Sequence, residues 1–318
     1  MIAIVFSSPQ AACTLSAPWM KEELSTMLTL RYLLPAVALL SSPLYAEPIA
    51  FSAVDSTEFV AEYSAGSKTG YGILLVEGAA GGMPDLLAQK IAPLGYPVLS
   101  VAYFKEPGLP QHLESLPLEY LEKPKQWLLK QTQTRDDGLI MVGWSKGAEL
   151  TLNTVARDKD YKAAIAIAPT SVVWQGRGPS ATPVSSWTYQ QQPLDFLTWP
   201  TPKTDQPIEQ AVLETLATHH WQTHAARIPV EQITTPLLLL SGGQDDVWPA
   251  TQMAEQICQQ MQHLPTADCT HIDYPEAGHL LNEQRMMGGT VAANTQANQE
   301  SQEAISEFLE RINSAVAD

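Results

Sequence analysis

The sequence predicts an α/β fold, with a mostly parallel central sheet covered by helices on both faces. Short runs that are apolar throughout alternate along the chain with segments that space their apolar residues as a helix does. A strand that is apolar on both faces belongs in a parallel sheet between two helix layers. The length of 318 residues allows one large core of this kind.

The predicted elements follow one another in a regular order. After a polar stretch at 47–70, which holds an edge strand at 58–63, continuous apolar runs predict central strands at 72–76, 96–103, 138–142, 163–168, 236–241 and 270–274. Helical spacing of apolar residues predicts helices that begin near Pro84 and that cover 116–130, 148–157, 250–261 and 298–315. These two periodicities are the main sequence signals for strand and helix.

One stretch, residues 170–232, breaks this alternation. It is rich in proline and tryptophan, and it shows no strand pattern. A long insertion between two core strands is typical of a lid or a binding loop. The alternative is a structural excursion that only covers one edge of the sheet.

The segment 143–147, Gly-Trp-Ser-Lys-Gly, fits the pattern Gly-x-Ser-x-Gly. It stands between the predicted strand at 138–142 and the predicted helix at 148–157. A strand, a sharp turn and a helix expose a serine hydroxyl and aim the first N–H groups of the helix at the same spot. The pattern therefore predicts Ser145 as the nucleophile of an α/β-hydrolase fold. The alternative is a glycine-bounded surface turn.

Two later loops supply candidate partners for Ser145. Asp245 and Asp246 directly follow the strand at 236–241, and His279 lies on a loop after the last predicted strand. Open α/β sheets build their sites at the carboxyl ends of strands, and α/β-hydrolases carry their triad in the order Ser, Asp, His. We expect a triad of Ser145, His279 and Asp245, with Asp246 as the alternative acid.

Backbone N–H groups are expected to form an oxyanion hole beside the serine. One donor is Lys146, and the other comes from the glycine-rich loop at 78–82, through Ala79 or Ala80. This loop lacks the Lys-Ser/Thr of a P-loop and the spacing of a dinucleotide fingerprint. A phosphate cradle is therefore excluded there.

The charge limits the partners. Asp plus Glu number 34 against 18 Lys plus Arg, a net charge of −16. Such a surface repels nucleic acid and anionic membranes, and it disfavours a highly anionic ligand unless a local basic pocket overrides the field. A small acyl ester or thioester is the expected partner, while the oligomeric state stays open.

A metal site is not expected, and no cofactor is implied. His219, His220 and His224 lie close together in the sequence without nearby carboxylates or cysteines. Two histidines on one helical face do not make a metal site, so a surface helix is the interpretation.

Residues 1–46 are expected to be a leader that contains a secretory signal peptide. Its core at 27–46 has a basic residue, Arg31, then an apolar stretch, and ends at a small residue, Ala46. This predicts export to a bacterial periplasm or out of the cell. The alternative is an uncleaved leader that anchors the chain to a membrane. Residues 1–26 precede this core, which is consistent with an assigned start codon that lies upstream of the true one.

The mature chain is predicted to be one α/β-hydrolase domain, residues 47–318. Cys258 and Cys269 lie within it, one late in a predicted helix and one just before a predicted strand. In an exported protein such a pair can form a disulfide. Two buried free thiols are the alternative, and the sequence leaves both open.

The residues around the elbow resemble a known family. Gly-Trp-Ser-Lys-Gly-Ala-Glu-Leu at 143–150 resembles the acyl-CoA thioester hydrolase / bile acid-CoA:amino acid N-acyltransferase (BAAT) C-terminal domain family. Further matches are Ala-Tyr-Phe at 102–104, Gly-Leu-Pro at 108–110, Leu-Pro-Leu-Glu-Tyr at 116–120, Ile-Pro-Val-Glu at 228–231, Gly-Gln-Asp-Asp at 243–246 with Trp248, Tyr-Pro-Glu-Ala-Gly-His at 274–279 and Gly-Gly at 288–289. The similarity covers about residues 70–312.

This resemblance implies an α/β-hydrolase that cleaves acyl thioesters or transfers acyl groups. Ser145 matches the serine of the family's thioesterases rather than the cysteine of its amino-acid transferases. After His279, Leu-Leu-Asn-Glu at 280–283 departs from the family's aromatic, proline-containing run. Expected export and negative charge both disfavour CoA, so a neutral ester stays open beside a thioester. An acyltransferase and a non-catalytic ligand-binding fold are the alternative functions.

Overall fold

The computed structural model describes residues 49–264 and 268–314. The predicted leader at 1–46 lies outside these residues. Within these two ranges, no helix has the length and apolarity that a membrane span requires.

The strands of the described chain form one large sheet and one small sheet. Their bounds are β1 Ser52–Ala53, β2 Val60–Ser64, β3 Gly70–Val76, β4 Val98–Ala102, β5 Leu116–Pro117, β6 Thr134–Trp144, β7 Tyr161–Ile167, β8 Trp187–Tyr189, β9 Gln192–Pro193, β10 Leu237–Gly242 and β11 Cys269–Tyr274. The helices are α1 Asp85–Ile91, α2 Glu122–Leu128, α3 Lys146–Arg157, α4 Ile208–Thr218, α5 His220–Ala225, α6 Ala250–Met261 and α7 Val291–Ser314.

The large sheet has the order β1-β2-β4-β3-β6-β7-β10-β11. Strand β2 pairs antiparallel with both β1 and β4. All pairs from β4 onward are parallel. The predicted fold class, a mostly parallel sheet with helices on both faces, is therefore confirmed. The carboxyl ends of β6, β10 and β11 lie at one edge, where the candidate site forms.

The continuous apolar runs are explained by burial on both faces of this sheet. In β3, Leu74 and Val76 belong to one hydrophobic cluster, whereas Ile73 and Leu75 belong to the cluster on the opposite face. Successive side chains of a strand point to opposite faces. Fully burying a side chain of this size stabilises the fold by about 1.5–3 kcal/mol, so both helix layers hold the sheet in place.

Three expectations about individual elements are wrong. The predicted edge strand β2 is flanked by β1, so it lies one position inside the edge. The expected helix at 116–130 is divided into β5, a 3-10 turn and α2. Pro117 has extended backbone angles (φ −74, ψ 130), and a proline disfavours helical backbone in the residue before it. The last helix begins at Val291, seven residues before the predicted start at 298.

The insertion at 170–232 contains regular structure, although its sequence shows no strand pattern. It holds β8 and β9 as well as α4 and α5. Strand β8 pairs with both β5 and β9 to make the small sheet. These strands are too short for a periodicity to be visible in the sequence.

One disulfide is present in the described chain. It joins Cys258 in α6 to Cys269 at the start of β11, with 5.4 Å between the two Cα atoms. Of the two possibilities that the sequence leaves open for these cysteines, the structure contains the covalent pair.

Candidate active site

Ser145 occupies a strained turn between β6 and α3. Its backbone angles are φ 55 and ψ −123, a region that a residue with a side chain enters only at a cost of about 1–3 kcal/mol. A Cβ atom at Gly143 would lie 2.3 Å from the carbonyl oxygen of Gly147, and one at Gly147 would lie 2.5 Å from that of Glu77. Both glycines of the elbow are therefore required by close backbone packing.

The structure brings Ser145, His279 and Asp245 together. The Nε2 atom of His279 lies 2.8 Å from Oγ of Ser145, and its Nδ1 atom lies 2.6 Å from Oδ2 of Asp245. His279 is 1% exposed and Asp245 is 4% exposed. This is the geometry of a nucleophile, a base and an acid that orients the base.

Asp245, and not Asp246, reaches the histidine. The second carboxylate oxygen of Asp245 accepts hydrogen bonds from the backbone N–H groups of Val247 at 2.7 Å and Trp248 at 3.1 Å. Asp246 is exposed. The carboxylate of Asp245 is therefore fixed on both oxygens, which holds the imidazole ring in one orientation.

A glycine of a later loop brings the acid and the base close together. Gly288 makes a backbone bridge with Asp245, and the N–H of His279 donates to the carbonyl of Met287 at 2.8 Å. Gly288 has φ +93, and a Cβ atom there would meet the backbone of Gln244. Only glycine fits this position, because the two loops cross with their backbones in contact.

The candidate oxyanion donors Lys146, Ala79 and Ala80 have different surroundings. Lys146 is the first residue of α3, and both it and Ala79 line the pocket beside Ser145. A Cβ atom on Gly78 would lie 3.1 Å from Cβ of Ser145, so the glycine-rich loop runs directly along the serine. Ala80 is exposed, and its carbonyl accepts a hydrogen bond from Lys105. The structure thus brings Ala79 to the serine rather than Ala80.

A buried ion pair lies under the elbow. One oxygen of the Glu149 carboxylate accepts hydrogen bonds from Nζ of Lys146 at 2.6 Å, from Nε1 of Trp187 at 2.7 Å and from the backbone N–H of Trp174 at 3.2 Å. Glu149 is 0% exposed. Burial raises the pKa of its carboxyl group, and the nearby Lys146 opposes this rise. The pair connects the start of α3 to the insertion.

A second buried carboxylate connects three parts of the site. Glu77 precedes the glycine-rich loop, and its side chain accepts hydrogen bonds from Nε1 of Trp144 at 2.9 Å and from Arg285 at 2.7 Å. The hydroxyl of Tyr103 donates to its backbone carbonyl at 2.7 Å. Burial raises the pKa of the Glu77 carboxyl group, whereas Arg285 lowers it.

The pocket that opens at Ser145 is small, and three of its nine lining residues are tryptophans. Its lining residues are Ala79, Ser145, Lys146, Trp174, Gln175, Arg177, Trp199, Val247 and Trp248. Four of them come from the insertion at 170–232, which therefore forms one wall of the site.

The tryptophans of this wall continue to the histidine. Trp174 packs edge-on against Trp199, with 5.1 Å between the ring centres, and Trp199 packs against Trp248 at 6.2 Å. Trp248 in turn packs edge-on against His279 at 5.0 Å. The aromatic contacts exclude water from one side of the imidazole ring. Trp221 takes no part in this row, because it is 86% exposed.

The histidines 219, 220 and 224 lie away from this arrangement. His220 and His224 are in the short helix α5, and all three are exposed or partly exposed. In the described part of the chain, no group of three His, Cys, Asp or Glu side chains is arranged to hold a metal ion.

Comparison with models of known protein families shows which family the chain belongs to. Residues 116–284 match the family model described as BAAT / Acyl-CoA thioester hydrolase C terminal. The chain belongs to this family. The match covers the elbow, the acid loop and the histidine loop, so the resemblance inferred from the sequence is confirmed.

Curated members of the BAAT / acyl-CoA thioester hydrolase family show the same relationship. Mouse acyl-coenzyme A thioesterase 5 is 26% identical over 213 residues, which are 66% of this chain and 48% of that protein. Human acyl-coenzyme A thioesterase 1 is 27% identical over 222 residues, with the same coverage of 66% and 48%. Mouse acyl-coenzyme A amino acid N-acyltransferase 1 is 25% identical over 213 residues, again 66% and 48%. The chain spans about half the length of these relatives.

Solved structures share the α/β-hydrolase fold of this family member. The Pyrococcus furiosus esterase Pf2001 has a TM-score of 0.53 at 13% identity, covering 83% of this chain and 92% of that one. A puromycin-hydrolyzing peptidase of Mycobacterium tuberculosis has a TM-score of 0.55 at 16% identity, covering 80% and 38%. At such identities the likeness concerns the fold alone.

Three residues of this family member's site were missed by sequence reasoning. Glu149 stands inside the family-like run at 143–150, where a lysine and a glutamate three residues apart share one face of a helix; this spacing could have indicated the pair. Glu77 and Arg285 are 208 positions apart, and nothing local in the sequence connects them.

Proposed function

We propose that this protein is a serine hydrolase that cleaves acyl esters or thioesters through an acyl-enzyme on Ser145. The observation that carries the proposal is the buried, hydrogen-bonded series from Ser145 through His279 to Asp245 beside an open pocket. A serine hydroxyl becomes nucleophilic when an adjacent base takes its proton. Family membership supports the same class of reaction, since its relatives include proteins named as acyl-CoA thioesterases.

The proposed reaction has two halves. In the first, His279 takes the proton of Ser145 as Oγ attacks the carbonyl carbon, and the N–H groups of Lys146 and Ala79 stabilise the oxyanion. His279 then gives that proton to the departing alcohol or thiol, which leaves the acyl group on Ser145. In the second half, His279 takes a proton from water as the water oxygen attacks the carbonyl carbon of the acyl-enzyme, and it then returns this proton to Oγ of Ser145 as the acid departs. Asp245 stabilises the imidazolium in both halves.

Acyl transfer to an amine is the second candidate, because one relative is named as an amino acid N-acyltransferase. In that case an amine replaces water in the second half of the reaction. Incubation with an acyl donor in the presence and absence of glycine separates the two: hydrolysis gives free acid in both, whereas transfer gives an N-acylglycine.

The experiment that tests the hydrolase compares 4-nitrophenyl esters with acyl-CoA substrates and uses a fluorophosphonate to label the serine. We expect turnover of at least one substrate class and one label per chain, both lost in Ser145→Ala. Absence of both turnover and label in a folded protein would contradict the proposal and favour a non-catalytic binding protein.

We also propose that the mature protein is exported, with cleavage after Ala46. The disulfide between Cys258 and Cys269 supports this, because disulfides persist in oxidising compartments. Intact mass measurement of the protein from periplasmic and cytosolic fractions tests the idea. A full-length chain confined to the cytosol would contradict it.

A further inference from the structure

Two side chains that line the pocket at Ser145, Gln175 and Arg177, carry N–H donors with no partner in the described part of the chain. None of the lining residues is acidic, and apart from Ser145 and the tryptophan indoles the polar side chains are those of Lys146, Gln175 and Arg177. The Lys146 ammonium group is already bound to Glu149 at 2.6 Å and to the carbonyl of Trp174 at 3.3 Å. This leaves Gln175 and Arg177 to meet a ligand.

Arg177 presents a guanidinium group from a fixed backbone. Its N–H donates to the carbonyl of Leu113 at 2.7 Å, and its carbonyl accepts from the N–H of Leu113 at 3.1 Å. Its side chain is exposed and makes no ion pair within residues 49–264 and 268–314. Glu114, the carboxylate beside this segment, is instead bound by the hydroxyl of Ser180 at 2.9 Å.

Gln175 adds a second donor next to this guanidinium group. Its Oε1 atom lies 2.9 Å from the backbone N–H of Trp199. Because a backbone N–H only donates, the amide oxygen must face it, and the NH₂ group faces away. The backbone N–H of Gln175 is fixed as well, by the carbonyl of Leu197 at 2.8 Å. Two adjacent donors without an acceptor favour a ligand group that accepts several hydrogen bonds.

We propose that Arg177, assisted by Gln175, binds an anionic group of the substrate, either a carboxylate or a phosphate. The inference rests on the proposed hydrolase function and specifies its substrate class: an acyl ester or thioester that carries a negative charge in its acyl part or in its leaving group. An arginine binds such groups through paired N–H donors. The net charge of −16 repels anions generally, so a local cation decides which of them can bind.

The negative charge can belong to the acyl part or to the leaving group, and matched substrate pairs distinguish these sources. On the acyl side, 4-nitrophenyl hexanoate is compared with the mono-4-nitrophenyl ester of adipic acid. On the leaving-group side, the neutral thioester S-hexanoyl-N-acetylcysteamine is compared with hexanoyl-CoA. In each pair the reacting carbonyl is unchanged. The first pair differs only in a terminal carboxylate, whereas hexanoyl-CoA adds the rest of the pantetheine arm, the phosphates and the adenosine to its neutral counterpart.

The test measures kcat/KM for both pairs in the wild-type protein and in Arg177→Gln, Arg177→Lys and Gln175→Ala. We expect the wild type to prefer the charged member of one pair by about 10-fold or more at low salt, the effect of one charge-assisted hydrogen bond. Arg177→Gln should remove this preference through KM, so that kcat/KM falls much more for the charged member than for the neutral one. Arg177→Lys should retain part of it, and Gln175→Ala should weaken it.

Arg135→Gln serves as the matched control, because it removes the same charge from the opposite end of β6, where Arg135 pairs with Asp137. It should keep the wild-type preference. The inference is overturned if the wild type shows no charge preference in either pair, or if Arg177→Gln slows charged and neutral members alike. Failure of the hydrolase proposal is recognised separately, since none of the four substrates would then react and Ser145 would not be labelled.

Discussion

Glu77 and Arg285 form an ion pair of 2.7 Å that joins the start of the glycine-rich loop to the loop after His279. The side chain of Glu77 is 4% exposed, whereas that of Arg285 is 41% exposed. The two partners are therefore not equivalent. Loss of the arginine leaves a carboxylate in the interior, while loss of the glutamate leaves a cation that water can reach.

This asymmetry predicts a pH-dependent loss of stability in Arg285→Met. Burial holds the pKa of Glu77 above its ordinary value and Arg285 opposes this, so removing the arginine raises the pKa further. A carboxyl group whose folded-state pKa lies above the unfolded value of about 4.3 destabilises the folded protein as the pH rises from the unfolded-state pKa to the folded-state pKa. We expect a loss of about 1–2 kcal/mol at pH 8, discounted for the exposure of Arg285, and a smaller loss at pH 5.

Urea unfolding at the two pH values measures this effect. Arg311→Met is the control, because Arg311 pairs with Asp268 near the surface and should give a small loss at both. A loss for Arg285→Met that is equal at pH 5 and pH 8 would show that Glu77 does not carry the effect.

The pair of Lys146 and Glu149 predicts a non-additive double substitution. In Lys146→Met the fully buried carboxylate of Glu149 loses its cation, and breaking a buried pair in this way costs about 3–5 kcal/mol. In Lys146→Met/Glu149→Gln no buried charge remains, although Gln still accepts from Trp187. We therefore expect the double variant to be more stable than Lys146→Met alone, as measured by urea unfolding midpoints. If the stability losses of the single variants Lys146→Met and Glu149→Gln add in the double variant, the two residues are not coupled.

Asp245 and Asp246 provide a direct test of the acid assignment. Asp245→Asn should lower kcat/KM by about 10⁴-fold, because the amide favours the wrong tautomer of His279 while keeping the shape of the side chain. Asp246→Asn should change kcat/KM by less than about 2-fold, since an exposed carboxylate acts on the site only through a long-range electrostatic effect that salt screens. Steady-state kinetics on a 4-nitrophenyl ester measures both. Comparable losses in the two variants would falsify the assignment.

Much of this arrangement is predictable from the sequence, and the reason is local. The strand, the elbow and the helix around Ser145 lie within one continuous segment, and Asp245 and His279 each follow an apolar strand directly. The ion pair of Glu77 with Arg285 and the short strands β5 and β8 depend on segments that are distant in the chain. Their partners meet only once the sheet has formed, so no local pattern records them. The choice between Ala79 and Ala80 also needed the backbone path of the loop.

The strain at Ser145 predicts that glycine is more stable than alanine at this position. The backbone angles of φ 55 and ψ −123 are accessible to glycine but unfavourable for any residue with a Cβ atom. Both Ser145→Gly and Ser145→Ala remove the nucleophile, so both should be inactive, and any difference between them reports the backbone alone. We expect Ser145→Gly to exceed Ser145→Ala by about 1–2 kcal/mol in the free energy of unfolding.

The same two changes at Ser306, in the middle of α7, should give the opposite order, because glycine weakens a helix by about 1 kcal/mol relative to alanine. If alanine is as stable as glycine at position 145, the elbow relaxes when the serine is removed, and the side chain itself rather than the crossing of β6 and α3 maintains the strained turn.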